Sequence, residues 1–308
     1  MGVLFATRYN FMNDSSEVIH LQDDLIRAVQ DSLLREVIRW GTTDSRVAKL
    51  IAEVGDVAIA AQEARNVIGS FYQTTFENST LGEGFAVPYI MSFCSHQGDD
   101  EYVRKNGLLS QWRGYGGDER YAIVFRSYGL EELLDEESKL FEYPTLTFAD
   151  VDYNDPTVFS RRYARLVELI VDVWKSYYGS NSLNEAIENA RQPFVMAATR
   201  LKHRGFKEER EVRIIACPTF REFNERMHEA AKMPLNSATK YKELHHRTRS
   251  YGPDAPCIHL FDWRKGKRLP IERIIVGPHR NQQALKAQVE RLTNSAVPVV
   301  CSQTPFVG

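Results

Sequence analysis

Charged residues occupy alternate positions in the segment FKEEREVRIIAC, which runs from Phe206 to Cys217. In an extended strand, Glu209, Glu211 and Arg213 would share one face, while the apolar residues between them would share the other. Carboxylates at this spacing can divide catalytic work, because one orients a substrate hydroxyl while the other stabilises a developing cation. An edge strand that carries charge on a solvated face is the simpler interpretation, and both stay open at this point.

Lys202 and His203 lie shortly before this segment and complete its polar cluster. We expect both to contact a substrate if the carboxylates are catalytic. Arg210 does not fit the alternation, because a two-residue period places it with the apolar positions. Its position suggests that the strand begins after it.

A second polar cluster is divided between SFCSHQGDD and LLSQWRGYG. In SQWR, a polar residue, a large aromatic and an arginine stand side by side, which suits stacking and hydrogen bonding to a planar or phosphate-bearing ligand. A tryptophan that anchors a turn to the core explains the same residues equally well. The candidate ligand contacts are Ser92, Ser95, Gln111, Trp112, Arg113 and Tyr115.

A third cluster lies in FMNDSSEV and consists of Asn13, Asp14 and Glu17. The start of a helix is its best explanation, because Asp and Ser cap helices and Glu17 suits the positive end of the helix dipole. The three residues are also candidate substrate contacts.

Composition and short motifs exclude several classes of protein. The 308 residues are 43% hydrophobic and 26% charged, with a net charge of -2, so no overall attraction to nucleic acid or to anionic membrane is expected. GKS/GKT, GxGxxG, HExxH and GxSxG motifs do not occur in the sequence. The four cysteines have no metal-type spacing and are predicted to be reduced thiols. No apolar stretch suits a membrane span or a signal peptide, so we expect a cytoplasmic protein without a metal site.

The elements that must position these clusters are a mixture of helices and strands. Apolar residues recur at helical spacing from Val18 to Val37, and a second helical stretch from about Asp44 to Phe71 is interrupted at Gly55. Further helices are predicted at 156–178, 183–204, 220–232 and 281–292. Strands are predicted at 86–95, 119–125, 145–153, 206–217, 257–263, 271–277 and 297–302.

The chain has no Pro/Gly/Ser-rich linker of the sort that separates domains, which predicts a single α+β domain over residues 1–308. We expect a helical layer at about 14–78 and a sheet core at about 86–153 and 206–302, with the helices of 156–204 between them.

In order along the chain, several segments resemble the domain of unknown function 2971 family, which occurs in bacteria and phages. The resemblance rests on FATRYNFMNDSSE at 5–17, SFCS at 92–95, LLSQWRGYGGDERYAIVF at 108–125, VDYND at 151–155, KHRGFKEEREVRI at 202–214 and IERIIVGP at 271–278. It therefore extends over essentially the whole chain, and SQWR together with the KH…F…E.EVRI block is its most specific part.

This resemblance implies a remote similarity in fold to the ADP-ribosyltransferases, which split NAD and pass ADP-ribose to a protein or a nucleic acid. It implies a small mixed or antiparallel sheet core of that type with a layer of long helices. Relatives of this kind are often toxins of toxin–antitoxin or anti-phage systems. An antitoxin or chaperone partner is therefore a further expectation, whereas a membrane partner is not.

The resemblance also gives the glutamates a role. Breaking the bond between nicotinamide and ribose creates an oxocarbenium-like centre, which a nearby carboxylate stabilises in the transition state. Glu211 is the expected catalytic carboxylate and Glu209 its partner, as in the E-x-E pair of such transferases. Ser92 and Ser95 would lie on the serine-bearing strand that shapes the pocket.

The remaining contacts to NAD, the implied substrate, follow from the second cluster and from the strand. Arg113, or less readily Arg213, would hold the pyrophosphate with its planar fork. Trp112 or Tyr115 would stack on nicotinamide or on a substrate base.

The N-terminus departs from the family pattern. Members usually begin with a strand that bears a Tyr/His-Tyr-Thr type signature, just ahead of the part that matches Phe5 to Glu17. This chain starts almost directly at that match, so we expect that strand to be missing. A histidine or arginine on it is what such transferases commonly use to hold the ribose of NAD.

Two other classes of function stay open. One is a catalytically inactive module on the same fold, which binds a nucleotide or a partner. The other is a metal-dependent nuclease with Asp14, Glu17, Glu209 and Glu211 as Mg²⁺ ligands. The basic segment 240–249 could touch nucleic acid phosphates, although a solvated loop is the commoner meaning of such a run.

Overall fold

The computed structural model describes residues 3–12, 17–77, 87–96, 98, 100–115, 120–153, 155–179, 182–231, 240–249, 252–264 and 268–305. Its helices are α1 Glu17–Gly41, α2 Ser45–Val54, α3 Asp56–Tyr72, α4 Glu101–Asn106, α5 Leu109–Tyr115, α6 Ser127–Leu140, α7 Pro156–Arg162, α8 Ala164–Tyr178, α9 Leu183–Arg200, α10 Arg221–Ala231 and α11 Gln282–Leu292. Its strands are β1 Leu4–Arg8, β2 Tyr89–Cys94, β3 Tyr121–Phe125, β4 Thr145–Asp150, β5 Asp152–Tyr153, β6 Leu201–Lys202, β7 Glu211–Cys217, β8 His245–Arg247, β9 Ala255–Leu260, β10 Ile271–Val276 and β11 Val299–Cys301. The predicted α+β class is confirmed.

Long helices form a layer with its own apolar core. The predicted spacing along α1 is confirmed, because Leu21, Leu25, Leu33 and their neighbours on that stripe are fully buried against α3, α8 and α9. The interruption predicted at Gly55 is confirmed too. Its φ of 93° lies in a region that favours glycine, and it separates α2 from α3.

The strands form a six-stranded antiparallel sheet and a smaller mixed one. The large sheet has the order β4-β7-β2-β1-β9-β8, and the small one has the order β11-β10-β3, with a parallel β10–β11 pair. A short parallel pair, β5–β6, lies beside them. One face of the large sheet packs on α6 through a second apolar core, which includes Leu130, Ile214 and Ala216.

The charged segment differs from its prediction in two ways. Residues Arg204–Glu209 form a 3-10 helix, and Arg210 follows in the left-handed conformation with a φ of 43°. Strand β7 therefore begins at Glu211, and the prediction that Glu209 lies on the same strand face is wrong. The solvated-face interpretation is also wrong, because Arg213 is only 1% exposed.

Several predicted elements have different bounds. The helix predicted at 156–178 breaks at Tyr163 into α7 and α8, and the strand predicted at 145–153 is divided into β4 and β5. Helix α6 and strand β1 were not predicted. Strand β1 pairs with both β2 and β9 and therefore lies inside the large sheet.

Candidate functional site

A cleft of about 2200 Å³ lies between the ends of β2, β4 and β7 in the large sheet and β3 and β10 in the small sheet. Helix α5 and the 3-10 segment Arg204–Glu209 also contribute to its walls. Of the predicted site residues, the cleft is lined by Ser92, Ser95, Gln111, Trp112, Tyr115, Glu209 and Glu211.

Four charged side chains form a compact cluster at the wall of this cleft: Lys202, Glu209, Glu211 and Arg213. The Nζ atom of Lys202 donates to Glu209 Oε2 at 2.7 Å and to Glu211 Oε2 at 2.7 Å. Arg213 donates from Nε to Glu211 Oε1 at 2.7 Å and from Nη2 to Glu211 Oε2 at 3.1 Å. Its Nη1 donates to the Thr199 carbonyl at 2.7 Å. The two cations and two anions of the charge cluster balance one another.

Glu211 is held ionised although it is only 5% exposed. Burial acts to raise the pKa of its carboxyl, but hydrogen bonds and charge from Arg213 outweigh that effect. Lys202 and Ser92 add further hydrogen bonds, so the pKa lies below its ordinary value. Strand β2, which carries Ser92, pairs with β7 and brings Cys94 opposite Glu211.

Helix α5 contacts the charge cluster and the 3-10 segment beside it. The Tyr115 hydroxyl donates to Glu209 Oε1 at 2.9 Å, and the Ser110 hydroxyl donates to Glu208 Oε1 at 3.1 Å. Partial burial and the hydrogen bond to Glu209 raise the pKa of Tyr115 to about 12, so its hydroxyl stays protonated and donates at neutral pH.

Trp112 fits the anchoring interpretation. It is 5% exposed, and its Nε1 donates to the Asn106 carbonyl at 2.9 Å. Its ring packs so closely over Gly107 and Gly277 that a Cβ on either glycine would lie within 3 Å of it. Tyr115, which is 61% exposed, is therefore the aromatic of this helix that is better placed to stack on a ligand.

The other predicted contacts are more dispersed. Arg113 is exposed on α5, but it does not line the cleft. Arg213 is buried behind Glu211, so it is occupied in positioning that carboxylate. His203 caps the 3-10 helix, where its Nδ1 accepts from Gly205 N at 3.1 Å. Asn13, Asp14 and the side chain of Glu17 lie outside the described residues.

The fold brings to the cleft several residues that the sequence pattern did not single out. The Tyr153 hydroxyl accepts from the backbone N–H of Glu211 at 2.8 Å, which fixes the start of β7. Its segment, VDYND, was noticed only as part of the resemblance. Cys94 donates from Sγ to Gln111 Oε1 at 3.4 Å. The rings of Phe93, Phe125 and Phe148 pack edge to face and give the cleft an apolar wall.

The described part of the chain holds no group of three or more His, Cys, Asp or Glu side chains that could bind a metal ion. The carboxylates of Glu209 and Glu211 are instead engaged by Lys202 and Arg213. Among the described helices, none has the length and apolar character that a membrane crossing requires.

Comparison with known proteins finds a family-model match in the centre of the chain. Residues 111–214 match the family model described as protein of unknown function, DUF2971. Neither a curated protein nor a solved structure matches the chain. The matched stretch includes α5, β7 and both glutamates of the charge cluster. Residues 111–214 are therefore similar to the DUF2971 family of proteins of unknown function.

Proposed function

We propose that the chain is an NAD-dependent, ADP-ribosyltransferase-like enzyme that transfers ADP-ribose to a protein or a nucleic acid. The observation that carries this proposal is the placement of Glu211. Its carboxylate is held ionised at the first residue of β7, is bonded to Ser92 on β2 and lies at the wall of the large cleft. This supports the role expected for Glu211 beside a serine-bearing strand, although Glu209 lies on the 3-10 helix and not on β7.

The chemistry assigned to Glu211 is electrostatic. When the bond between ribose C1′ and the nicotinamide nitrogen breaks, the electron pair leaves with nicotinamide and positive charge develops on the ribose. A preorganised carboxylate stabilises that charge more in the transition state than in the bound substrate. The acceptor then attacks C1′ and gives up its proton, for which Glu209 is the nearest second carboxylate.

The size and lining of the cleft suit a substrate together with part of an acceptor. Small-molecule sites usually occupy about 300 to 1000 Å³, and this cleft has about 2200 Å³. Phe93, Phe125 and Phe148 offer rings to a planar base or nicotinamide, and Tyr115 also lines the cleft. A toxin or anti-phage role, with an antitoxin or chaperone partner, is part of this proposal and rests on the resemblance alone.

A second candidate is a nucleotide-binding module that does not turn over its ligand. The observation that favours it is the balance of charge around Glu209 and Glu211. Each carboxylate has a cation at 2.7 Å, so little net negative charge faces the cleft. A catalytic role requires the Lys202 ammonium to stay on the side of Glu211 away from the ribose.

The deciding experiment is calorimetric titration with NAD, followed by transfer of label from NAD in cell lysate. The variants are Glu211→Gln and, as a matched control, Glu208→Gln, whose carboxylate contacts Ser110 outside the charge cluster. We expect the wild type and Glu208→Gln to bind NAD and label an acceptor, whereas Glu211→Gln binds NAD without labelling. Thermal unfolding checks that each variant is folded.

Each other outcome has a definite meaning. Equal labelling by Glu211→Gln contradicts the role of Glu211. Binding of NAD without label in any variant favours the nucleotide-binding module. The absence of heat for all three proteins contradicts NAD as the ligand.

A further inference from the structure

The far half of the large sheet presents a group of planar side chains on one face. Phe5 on β1 lies opposite His259 on β9, and His245 on β8 lies opposite Cys257, two residues before His259. Because side chains alternate along a strand, Phe5, His259, His245 and Arg247 all project from the same face. We call these four residues the planar surface.

The planar groups are in mutual contact. The imidazole rings of His245 and His259 stack with 3.8 Å between centroids and an interplanar angle of 8°. The ring of Phe5 lies 5.9 Å from that of His259, and the guanidinium of Arg247 lies 5.5 Å from the centre of the Phe5 ring. These ring–ring and cation–ring contacts orient the four side chains of the planar surface.

This face is open to solvent. Phe5 is 37% exposed, whereas its neighbours Leu4 and Ala6 are buried in the core on the opposite face of the sheet. Arg247 is exposed, and His245 and His259 are half-buried. The exposed rings therefore lie at the surface, where a further planar group can stack on them.

Two guanidinium groups lie at or beside the planar surface. Arg247 and Arg249 lie on or next to β8, and Lys240 is exposed in the same segment, against the exposed carboxylates of Glu243 and Asp254. Lys242 pairs with both Glu137 at 2.9 Å and Asp262 at 2.7 Å, which leaves one carboxylate in excess, so these charged groups balance overall. The guanidinium groups of Arg247 and Arg249, rather than a net charge, are the groups that could pair with phosphates.

We propose that the planar surface binds single-stranded nucleic acid, with bases stacked on its rings and phosphates paired with Arg247 and Arg249. Stacking requires exposed base faces, which a single strand offers and a duplex hides. Aromatic and guanidinium planes beside cations are the combination that such sites use, and they tolerate different base sequences. This inference does not depend on NAD chemistry.

The test is fluorescence anisotropy without NAD, in which the full chain is titrated into labelled oligonucleotides of about 12 residues. The probes are a single-stranded RNA, a single-stranded DNA and a duplex of the same sequence. We expect a single strand to bind more tightly than the duplex, and the comparison of RNA with DNA identifies the preferred sugar. Phe5→Leu removes the ring but keeps an apolar side chain, and should weaken binding about 5- to 100-fold.

Arg247→Gln, on the edge strand β8, provides an independent test of the proposal. It should reduce the slope of log affinity against log salt by about 0.7, the loss of one phosphate contact. Arg247→Gln alone tests the proposal if Phe5→Leu does not fold. The matched controls are Tyr177→Leu, an aromatic on α8 that is 69% exposed, and Arg35→Gln, an exposed arginine on α1.

The proposal is overturned if no oligonucleotide binds or if the duplex binds as tightly as the single strands. It is also overturned if Tyr177→Leu and Arg35→Gln weaken binding as much as the two surface variants do.

Discussion

Arg213 and Glu211 stand two residues apart on β7 and are joined by two hydrogen bonds, of 2.7 Å and 3.1 Å, in a region where Arg213 is 1% exposed. The alternation of the strand brings them to one face, and the pair is then covered by the end of α9, whose Thr199 carbonyl accepts from Arg213. Removing one partner of such a buried pair strongly destabilises the protein, because the other charge is left uncompensated. The charge cluster should therefore respond sharply to single neutral substitutions.

Lys202→Met tests the ammonium group that contacts both Glu209 and Glu211. The variant leaves Glu209 and Glu211 without the ammonium that contacts both, in a site where the lysine side chain is 7% exposed. We expect the free energy of unfolding to fall by about 3 to 5 kcal/mol, measured by urea denaturation. Lys49→Met is the control, because its 4.0 Å pair with Glu53 is on the surface and should contribute less than about 1 kcal/mol. Equal losses in the two variants would contradict a special role for Lys202.

The depressed pKa of Glu211 gives a prediction for the pH dependence of stability. A carboxyl whose pKa is lower in the folded chain contributes stability above its ordinary value of 4.5 and loses that contribution as the pH falls through the folded pKa. Wild type should therefore exceed Glu211→Gln in unfolding free energy at neutral pH, and the difference should shrink in acid. Urea denaturation of both proteins in buffers of decreasing pH measures this difference. A difference in unfolding free energy that stays constant or widens in acid would contradict the lowered pKa of Glu211.

Gly107 should be hard to replace because of its backbone and because of Trp112. Its φ of 76° and ψ of 168° are almost confined to glycine, and a Cβ there would lie 2.7 Å from the indole ring. We expect Gly107→Ala to lower the unfolding free energy by about 1 to 3 kcal/mol. Gly69→Ala is the matched control, since a Cβ in the middle of α3 meets no atom within 4 Å. That variant should gain about 0.5 to 1 kcal/mol. Similar changes in unfolding free energy for the two variants would contradict the clash between a Cβ at position 107 and Trp112.

Local sequence pattern was enough to predict part of the fold. The apolar spacing of α1, the break at Gly55 and the alternation from Glu211 onward depend on neighbouring residues, and each was confirmed. Helix α6 has helical spacing at Leu130 and Leu134, so that pattern was available and was overlooked. Strand β1 is short, and its place depends on pairing with β2 and β9 rather than on its own composition.

The candidate site was predicted less completely because its geometry depends on distant contacts. Glu209 leaves the strand through the left-handed Arg210, which no alternation pattern reveals. Tyr153 reaches the Glu211 backbone over 58 residues of sequence, and Tyr115 reaches Glu209 over 94. The number of carboxylates was visible in the sequence, whereas their neutralisation by Lys202 and Arg213 required the fold.

Cys94 is predicted to report on the charge of the cleft. Cys94 lines the cleft, where desolvation raises the pKa of its thiol to about 11, with a further rise from the charges of Glu209 and Glu211. Because the thiolate is the reactive form, alkylation by iodoacetamide at neutral pH should be about 100-fold slower than in the urea-unfolded chain. Peptide-resolved mass spectrometry measures the rate at this cysteine alone.

Glu209→Gln separates the contribution of charge from that of burial. Removing this carboxylate lowers the pKa of Cys94 and should speed its alkylation, while Glu168→Gln on the exposed face of α8 should leave the rate unchanged. If native Cys94 reacts as fast as the unfolded chain, its Sγ is not withdrawn from water. If Glu209→Gln has no effect on the rate, then Lys202 screens the Glu209 carboxylate completely at the cleft surface. Little negative charge would then face a substrate, and the nucleotide-binding module would be the better description of this site.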